Sequence, residues 1–190
     1  MYHYSNGKLL LTGEYIVLDG AKSLAVPTKF GQDLTIQNIK EPLLIWASFA
    51  HDGDCWFEAT FDVVKLRLTS ANFNATNNGN SDMIAETLQK ILQAARELNP
   101  EFLITEGGYL IKTALTFPQN WGLGSSSTLI NNIASWANVD AFELLWKSFS
   151  GSGYDIACAQ HSTPIFYQLE QSSLEGTPAT PIIETTRFNP

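Results

Sequence analysis

The apolar positions along the chain change period several times, and each change marks an element. Between Asp82 and Leu98 the residues Ile84, Leu88, Ile91, Leu92, Ala95 and Leu98 recur at helical spacing and make one apolar stripe. Ser81 and Asp82 suit the start of that helix, and Asn99-Pro100 stops it. Upstream the period is two. A first strand covers residues 2–11, and Leu34 and Ile36 alternate with polar neighbours in a second over Phe30–Ile39. Leu43–Phe49 and Cys55–Asp62, rich in Trp, Phe and Ile, make two more, with His51-Asp52-Gly53-Asp54 as the hairpin turn between them. Residues 69–81 are polar, rich in Asn and nearly uncharged, which predicts a loop. Downstream, strand Tyr109–Phe117 leads into helix Ser126–Asn138, whose buried side is Leu129, Ile130, Ile133, Ala134 and Ala137. A third helix opens at Asp140 with Phe142, Leu145, Trp146 and Phe149 on one face. A short apolar helix begins near Asp155, a strand spans Pro164–Leu169, and a last strand is expected at Ile182–Arg187.

Composition narrows the class. A chain of 190 residues suggests one domain, or one and a fraction, and 44% hydrophobic content with 12% aromatic is ample for a packed core. The net charge of −8, from 19 acids against 11 bases, repels nucleic acid and anionic lipid, so neither is an expected partner. Cys55 and Cys158 are too few for a disulfide framework and suggest a reducing compartment. Gly13 and Glu14 interrupt the first apolar run, which therefore suits neither a signal peptide nor a membrane span. The expectation is a soluble cytoplasmic protein.

Chemistry concentrates in three stretches. Pro118-Gln119-Asn120-Trp121-Gly122-Leu123-Gly124-Ser125-Ser126-Ser127-Thr128 sits between a strand and a helix. Its glycines let backbone turn tightly and approach a ligand, and Ser125, Ser126 and Ser127 bring hydroxyls and free N–H groups to a helix start, where the dipole favours an anion. That arrangement suits a phosphate cradle, or simply a serine-capped helix after a turn. It is not a Walker loop, which needs Lys after its last Gly where Ser125 stands, nor a dinucleotide fingerprint, whose third Gly would fall at Ser127. Lys8, beside an apolar run, is either a strand-edge lysine in solvent or a cation near bound phosphate. Gly151-Ser152-Gly153-Tyr154-Asp155-Ile156-Ala157 delivers Asp155 into the first turn of an apolar helix, where an acid also suits the dipole. Asp140-x-x-Glu143 reads as a capping box, a structural task for Glu143. His51 fits a turn and His161 a surface or packing position.

Pro118 with Gly122, Leu123, Gly124, Ser125 and Ser126 matches, position by position, the second motif of the galactokinase, homoserine, mevalonate and phosphomevalonate (GHMP) kinase superfamily, with Ser127 in place of the usual Ala. Gly7-Lys8 through Gly13-Glu14-Tyr15 resembles the first motif of the same superfamily, closest to its mevalonate and phosphomevalonate branch. Gly-Ser-Gly-Tyr-Asp-Ile-Ala at 151–157 resembles the bacterial subgroup known by the letters GYDIA. The resemblance runs from Gly7 to Leu169 and implies an α/β (α+β) fold similar to ribosomal protein S5 domain 2, the superfamily's amino-terminal lobe. It implies a small-molecule kinase that uses ATP and Mg²⁺, with mevalonate or phosphomevalonate as acceptor. Residues Pro118 and Gly122–Ser127 would bind nucleotide, and Ser126 would reach the metal. Lys8 would neutralise the γ-phosphate and keep Asp155 ionised, while Asp155 would orient or deprotonate the acceptor hydroxyl. In the mevalonate kinase branch the magnesium-binding helix Glu lies 11 residues before the catalytic Asp; Glu143 lies 12 before Asp155, so it is either that ligand or the cap.

Two rival readings stay open. One is a non-catalytic nucleotide-binding module; the other is an ATP-using decarboxylase similar to the diphosphomevalonate enzyme, whose first motif usually lacks Gly13-Glu14. The superfamily's third motif, in a ferredoxin-like carboxy-terminal lobe, has no match here. The expected division is therefore one lobe over residues 1–170, with 171–190 as a linker or the start of a second lobe. The face left bare by a missing lobe would favour a homodimer.

Overall fold

The computed structural model describes residues 1–73, 81–104, 106–170 and 179–186. Their strands are β1 (Tyr2–Leu10), β2 (Ser23–Ile39), β3 (Leu43–Phe49), β4 (Cys55–Asp62), β5 (Leu68–Phe73), β6 (Gly108–Ala114), β7 (Ile165–Glu170) and β8 (Thr180–Thr185). They form one sheet in the order β5-β4-β3-β6-β2-β7-β8, with β1 hydrogen-bonded to β2. Pairing is antiparallel except between β3 and β6, which run parallel because helix α1 (Ser81–Leu98) lies in the crossover between them. Helices α2 (Ser125–Ala137) and α4 (Tyr154–Gln160) lie on β1 and β2, and α1 and α3 (Ala141–Ser148) pack beside α2. Between the layers, Leu34, Ile36, Leu44, Trp46, Phe57 and Ile111 of the sheet meet Leu88, Leu92, Ile130, Ile133 and Ile156 of the helices. This is the expected mixed α/β architecture. No helix among the described residues is long and apolar enough to cross a bilayer.

The sheet is organised around β2, whose 17 residues extend well past the Phe30–Ile39 expected from alternation. Ala25 pairs on both edges, with Leu10 and Ile165, and so does Thr35, with Tyr2 and Lys112. Pro27 belongs to the same strand because it sits opposite Lys8, where the register with β1 shifts and the ladder is already interrupted. A second correction concerns the expected loop at 69–81. Its first part is strand β5, paired from Leu68 to Phe73 with β4. The polar sequence hides that strand, because an edge strand takes its stability from the neighbour it pairs with rather than from its own apolar face. The remainder, 74–80, lies outside the described residues, as do 171–178. After 178 the chain adds β8 to the same sheet, with Tyr167 opposite Ile183.

A polar seam fixes how α2 sits on the sheet. The buried Ser5 hydroxyl of β1 donates to Asn132 Oδ1 at 2.7 Å and accepts from Asn131 Nδ2 at 2.8 Å. Asn132 Nδ2 donates to the Gln32 carbonyl at 2.9 Å, and the Thr128 hydroxyl to Gln32 Oε1 at 2.7 Å. Each buried polar group here has a partner, so the seam sets one register for the helix instead of imposing a desolvation penalty. That register places the first turn of α2.

Candidate functional site

The glycine stretch leaves β6 through Leu115 and Phe117 and makes a 3-10 turn at Gln119–Trp121. Leu123, between two glycines, is 6% exposed and buries its side chain with Leu115 and Phe117 in a small apolar cluster apart from the main core. It therefore anchors the loop. Gly122 and Gly124 are both left-handed, with φ of 70° and 86°, a conformation that disfavours side chains. Gly124 is also the N-cap of α2, and no side chain caps the helix there. Among the described residues no acceptor is recorded for the N–H groups of Ser125, Ser126 or Ser127, so the positive end of a 13-residue helix faces outward with its donors unused.

Strand β1 brings Lys8 to the same place. Gly7 forms the bulge, and a Cβ there would lie 2.9 Å from the Leu123 carbonyl. Because Gly7 has none, the Lys8 N–H reaches that carbonyl at 3.0 Å. The lysine side chain then runs over Gly124, whose added Cβ would fall 3.2 Å from Lys8 Cγ and 3.3 Å from Cε. Its ammonium lies 5.3 Å from the centre of the Tyr154 ring, a cation–π distance. Asp155 follows Tyr154 in the first turn of α4, delivered by Gly153 at φ 86°. The Ser127 hydroxyl donates to Asp155 Oδ2 at 2.9 Å, and the Ile156 N–H meets Oδ1 at 3.1 Å. Among the described residues Lys8 and Asp155 form no direct ion pair. Both fields nonetheless meet at Cys158, one turn on. Burial, helped by the Asp155 carboxylate and opposed by Lys8, pushes that thiol up to about 12.

Two concavities flank this cluster. One, of about 220 Å³, opens beside Ser125 and Ser126 and is lined by Trp46, Trp56, Ile84, Leu88 and Gln32 among others. It continues along Pro118, Gln119 and Asn120. The other, of about 210 Å³, lies at Asp155 between Glu14, Val17, Leu145 and Tyr154. The structure thus brings together Lys8, Gly124, Ser127 and Asp155, with Ser126 exposed at the helix tip. It does not bring Glu143 to them. Glu143 is exposed in the first turn of α3 and lines a separate hollow with Asp140, Trp146 and Lys147. Its N–H and that of Phe142 donate to the Asp140 carboxylate, the N-cap, at 2.9 and 2.8 Å. No group of three or more His, Cys, Asp or Glu among the described residues is placed to hold a metal. His161 is a packing residue, with Nδ1 at 2.7 Å from the Ala157 carbonyl. Missed by sequence reasoning were Trp46, Trp56 and Gln32, which only the sheet places near the loop, and Tyr154, whose position beside Asp155 was the available signal.

No protein-family model matches the chain, and no curated protein does. Solved structures do. The mevalonate kinase of Methanococcus jannaschii superposes with a TM-score of 0.60, at 14% identity, over 88% of this chain and 53% of that one. The galactokinase of Lactococcus lactis, in complex with galactose, gives 0.60 at 13% identity over 99% and 47%. The phosphomevalonate kinase of Streptococcus pneumoniae, in complex with phosphomevalonate and AMPPNP, gives 0.59 at 18% identity over 88% and 49%. The chain therefore shares its fold with part of each of these kinases, and it spans about half their length.

Proposed function

We propose that this chain is the nucleotide-binding half of an ATP-dependent small-molecule kinase. The observation that carries the reading is the uncapped start of α2 at Gly124, with Lys8 and Asp155 converging on it from β1 and α4. Phosphoryl transfer asks a protein mainly for positioning and charge stabilisation, so a cradle, a cation and a carboxylate suffice as parts. In this reading the N–H groups of Ser125, Ser126 and Ser127 hold phosphate oxygens, and the Trp46–Trp56 concavity accepts the base. Lys8 offsets charge on the transferred group, its ammonium paired with no carboxylate among the described residues. Asp155 orients the acceptor hydroxyl in the hollow it shares with Glu14 and Tyr154. Magnesium would neutralise phosphate charge; Ser126 offers it one exposed oxygen, and the small protein share suits an ion carried largely by phosphates and water. Glu143 as a further ligand would require α3 to turn toward the loop.

Mevalonate or phosphomevalonate is the acceptor favoured by the spelling of the first motif, Gly13-Glu14-Tyr15. Turnover belongs to the complete two-lobed enzyme in this proposal, since the chain spans about half the length of the kinases it resembles. That same fraction favours a second reading, a module that binds nucleotide without turnover. The test incubates the intact protein with ATP, Mg²⁺ and a panel of alcohols, with ADP read by mass spectrometry and ATP binding by calorimetry. ADP release that falls by ~10²–10⁴-fold in Asp155→Asn supports the kinase. Binding without ADP, with both lobes present, supports the module, and neither signal sinks both.

A further inference from the structure

We infer that Ser127 is a positioning residue whose hydroxyl fastens the Asp155 carboxylate to the first turn of α2, so that the phosphate loop and the acid move as one body; the catalytic consequence rests on the kinase reading above. Ser127 is 4% exposed, and its single hydroxyl proton has two acceptors within reach, Asp155 Oδ2 at 2.9 Å and the Gly124 carbonyl at 3.2 Å. A helical serine ordinarily bonds back to the preceding turn. Here the carboxylate is nearer and charged, and charge-assisted bonds are the stronger ones, so the proton goes to Asp155. The other oxygen, Oδ1, meets the N–H of Ile156 in its own helix. The carboxylate is therefore tied on one side to α4 and on the other to α2, across 28 residues of sequence. Ser127 is the one side-chain donor recorded for Asp155 among the described residues, and Lys8 makes no ion pair with it. An alanine at 127 would leave Oδ2 without a donor and Asp155 free to turn about its side-chain torsions, while the backbone N–H groups of the cradle stayed in place.

The experiment has two arms. In the first, the intact protein and Ser127→Ala are compared with ATP, Mg²⁺ and whichever alcohol of the panel releases ADP. The inference expects kcat to fall roughly 10-fold, the loss of one charge-assisted bond, with the KM for ATP unchanged and with Ser127→Thr restoring most of the rate. A purely structural serine would not separate kcat from KM in this way. The second arm needs no turnover: melting temperatures of Ser127→Ala, Asp155→Ala and the double variant form a cycle. The double variant should melt no lower than the lower single. Should Ser127→Ala fail to fold, Ser127→Cys keeps the volume, weakens the donor and takes its place in both arms. An unchanged kcat in a folded Ser127 variant, or melting losses that add in full, overturns the inference. A wild-type protein that neither binds ATP nor releases ADP removes the kinase reading instead, and the melting cycle still decides the link.

Discussion

Gly124 shows how closely the site is built around single atoms. Valine there would need φ near 86° and would press its Cβ to about 3.1–3.3 Å from Ser127 Oγ and the Lys8 stem. Left-handed backbone costs a side-chain-bearing residue roughly 1–2 kcal/mol before any clash. Gly124→Val should therefore fold with reduced stability and bind ATP at least about tenfold more weakly; calorimetry giving wild-type affinity in a folded variant would refute the cradle. Asp33 offers a test in the opposite direction. Burial raises its carboxyl above the usual value, opposed by a 2.9 Å bond from the Ala114 N–H. For an acid raised in the folded state, the unfolded chain loses its proton first, so stability falls as pH rises from about 3.8 through the folded value. Asp33→Asn removes that penalty. It should melt higher than wild type at pH 7 and converge with it at acid pH, and equal melting temperatures at pH 7 would refute the buried-charge argument. Lys8, Gly124 and Asp155 were legible as candidates because each is spelled within a few neighbours. The Ser127–Asp155 bond and the Trp46–Trp56 concavity were not, because both join segments that meet only after the sheet forms.

Among the elements, α3 has the most explicit start. Asp140 accepts two backbone N–H groups at 2.8 and 2.9 Å, and basic Lys147 occupies the last turn. Asp140→Ala should cost about 1 kcal/mol, which lowers the melting temperature of a domain this size by roughly 2–4 °C. A loss below one degree would mean that packing of Phe142 and Leu145 holds the helix unaided. Strands β3 and β4 and helix α1 were readable to within a residue, since long amphipathic or aromatic runs carry their own signal. Strand β5 and the first half of β2 were not readable. Leu-Thr-Ser-Ala-Asn-Phe has little apolar face, and Pro27 argues against a strand unless the bulge opposite it is known. The stripe of α1 does more than fill the core, since Ile84 and Leu88 also wall the concavity beside Ser126.

For the molecule as a whole, Cys158 reports on cooperativity. It is a fully buried residue of α4, and its thiol is pushed up to about 12 by that burial and by Asp155. Alkylation needs the thiolate and access, so iodoacetamide at pH 8 should reach Cys158 only through opening of the fold. Mass spectrometry should find that ATP slows this step, because a ligand bound to the native state reduces the open population. Labelling as fast as in denaturant would mean the helical layer is not packed as described. The double pairing of β2 also has a consequence during synthesis. At Ala25 one edge is satisfied by Leu10, made earlier, but the other waits for Ile165, about 140 residues later. At ribosomal rates of roughly 5–20 residues per second, that edge stays open for roughly 7–28 s. A nascent chain with an unpaired strand edge for that long is a natural client for a chaperone at the exit tunnel.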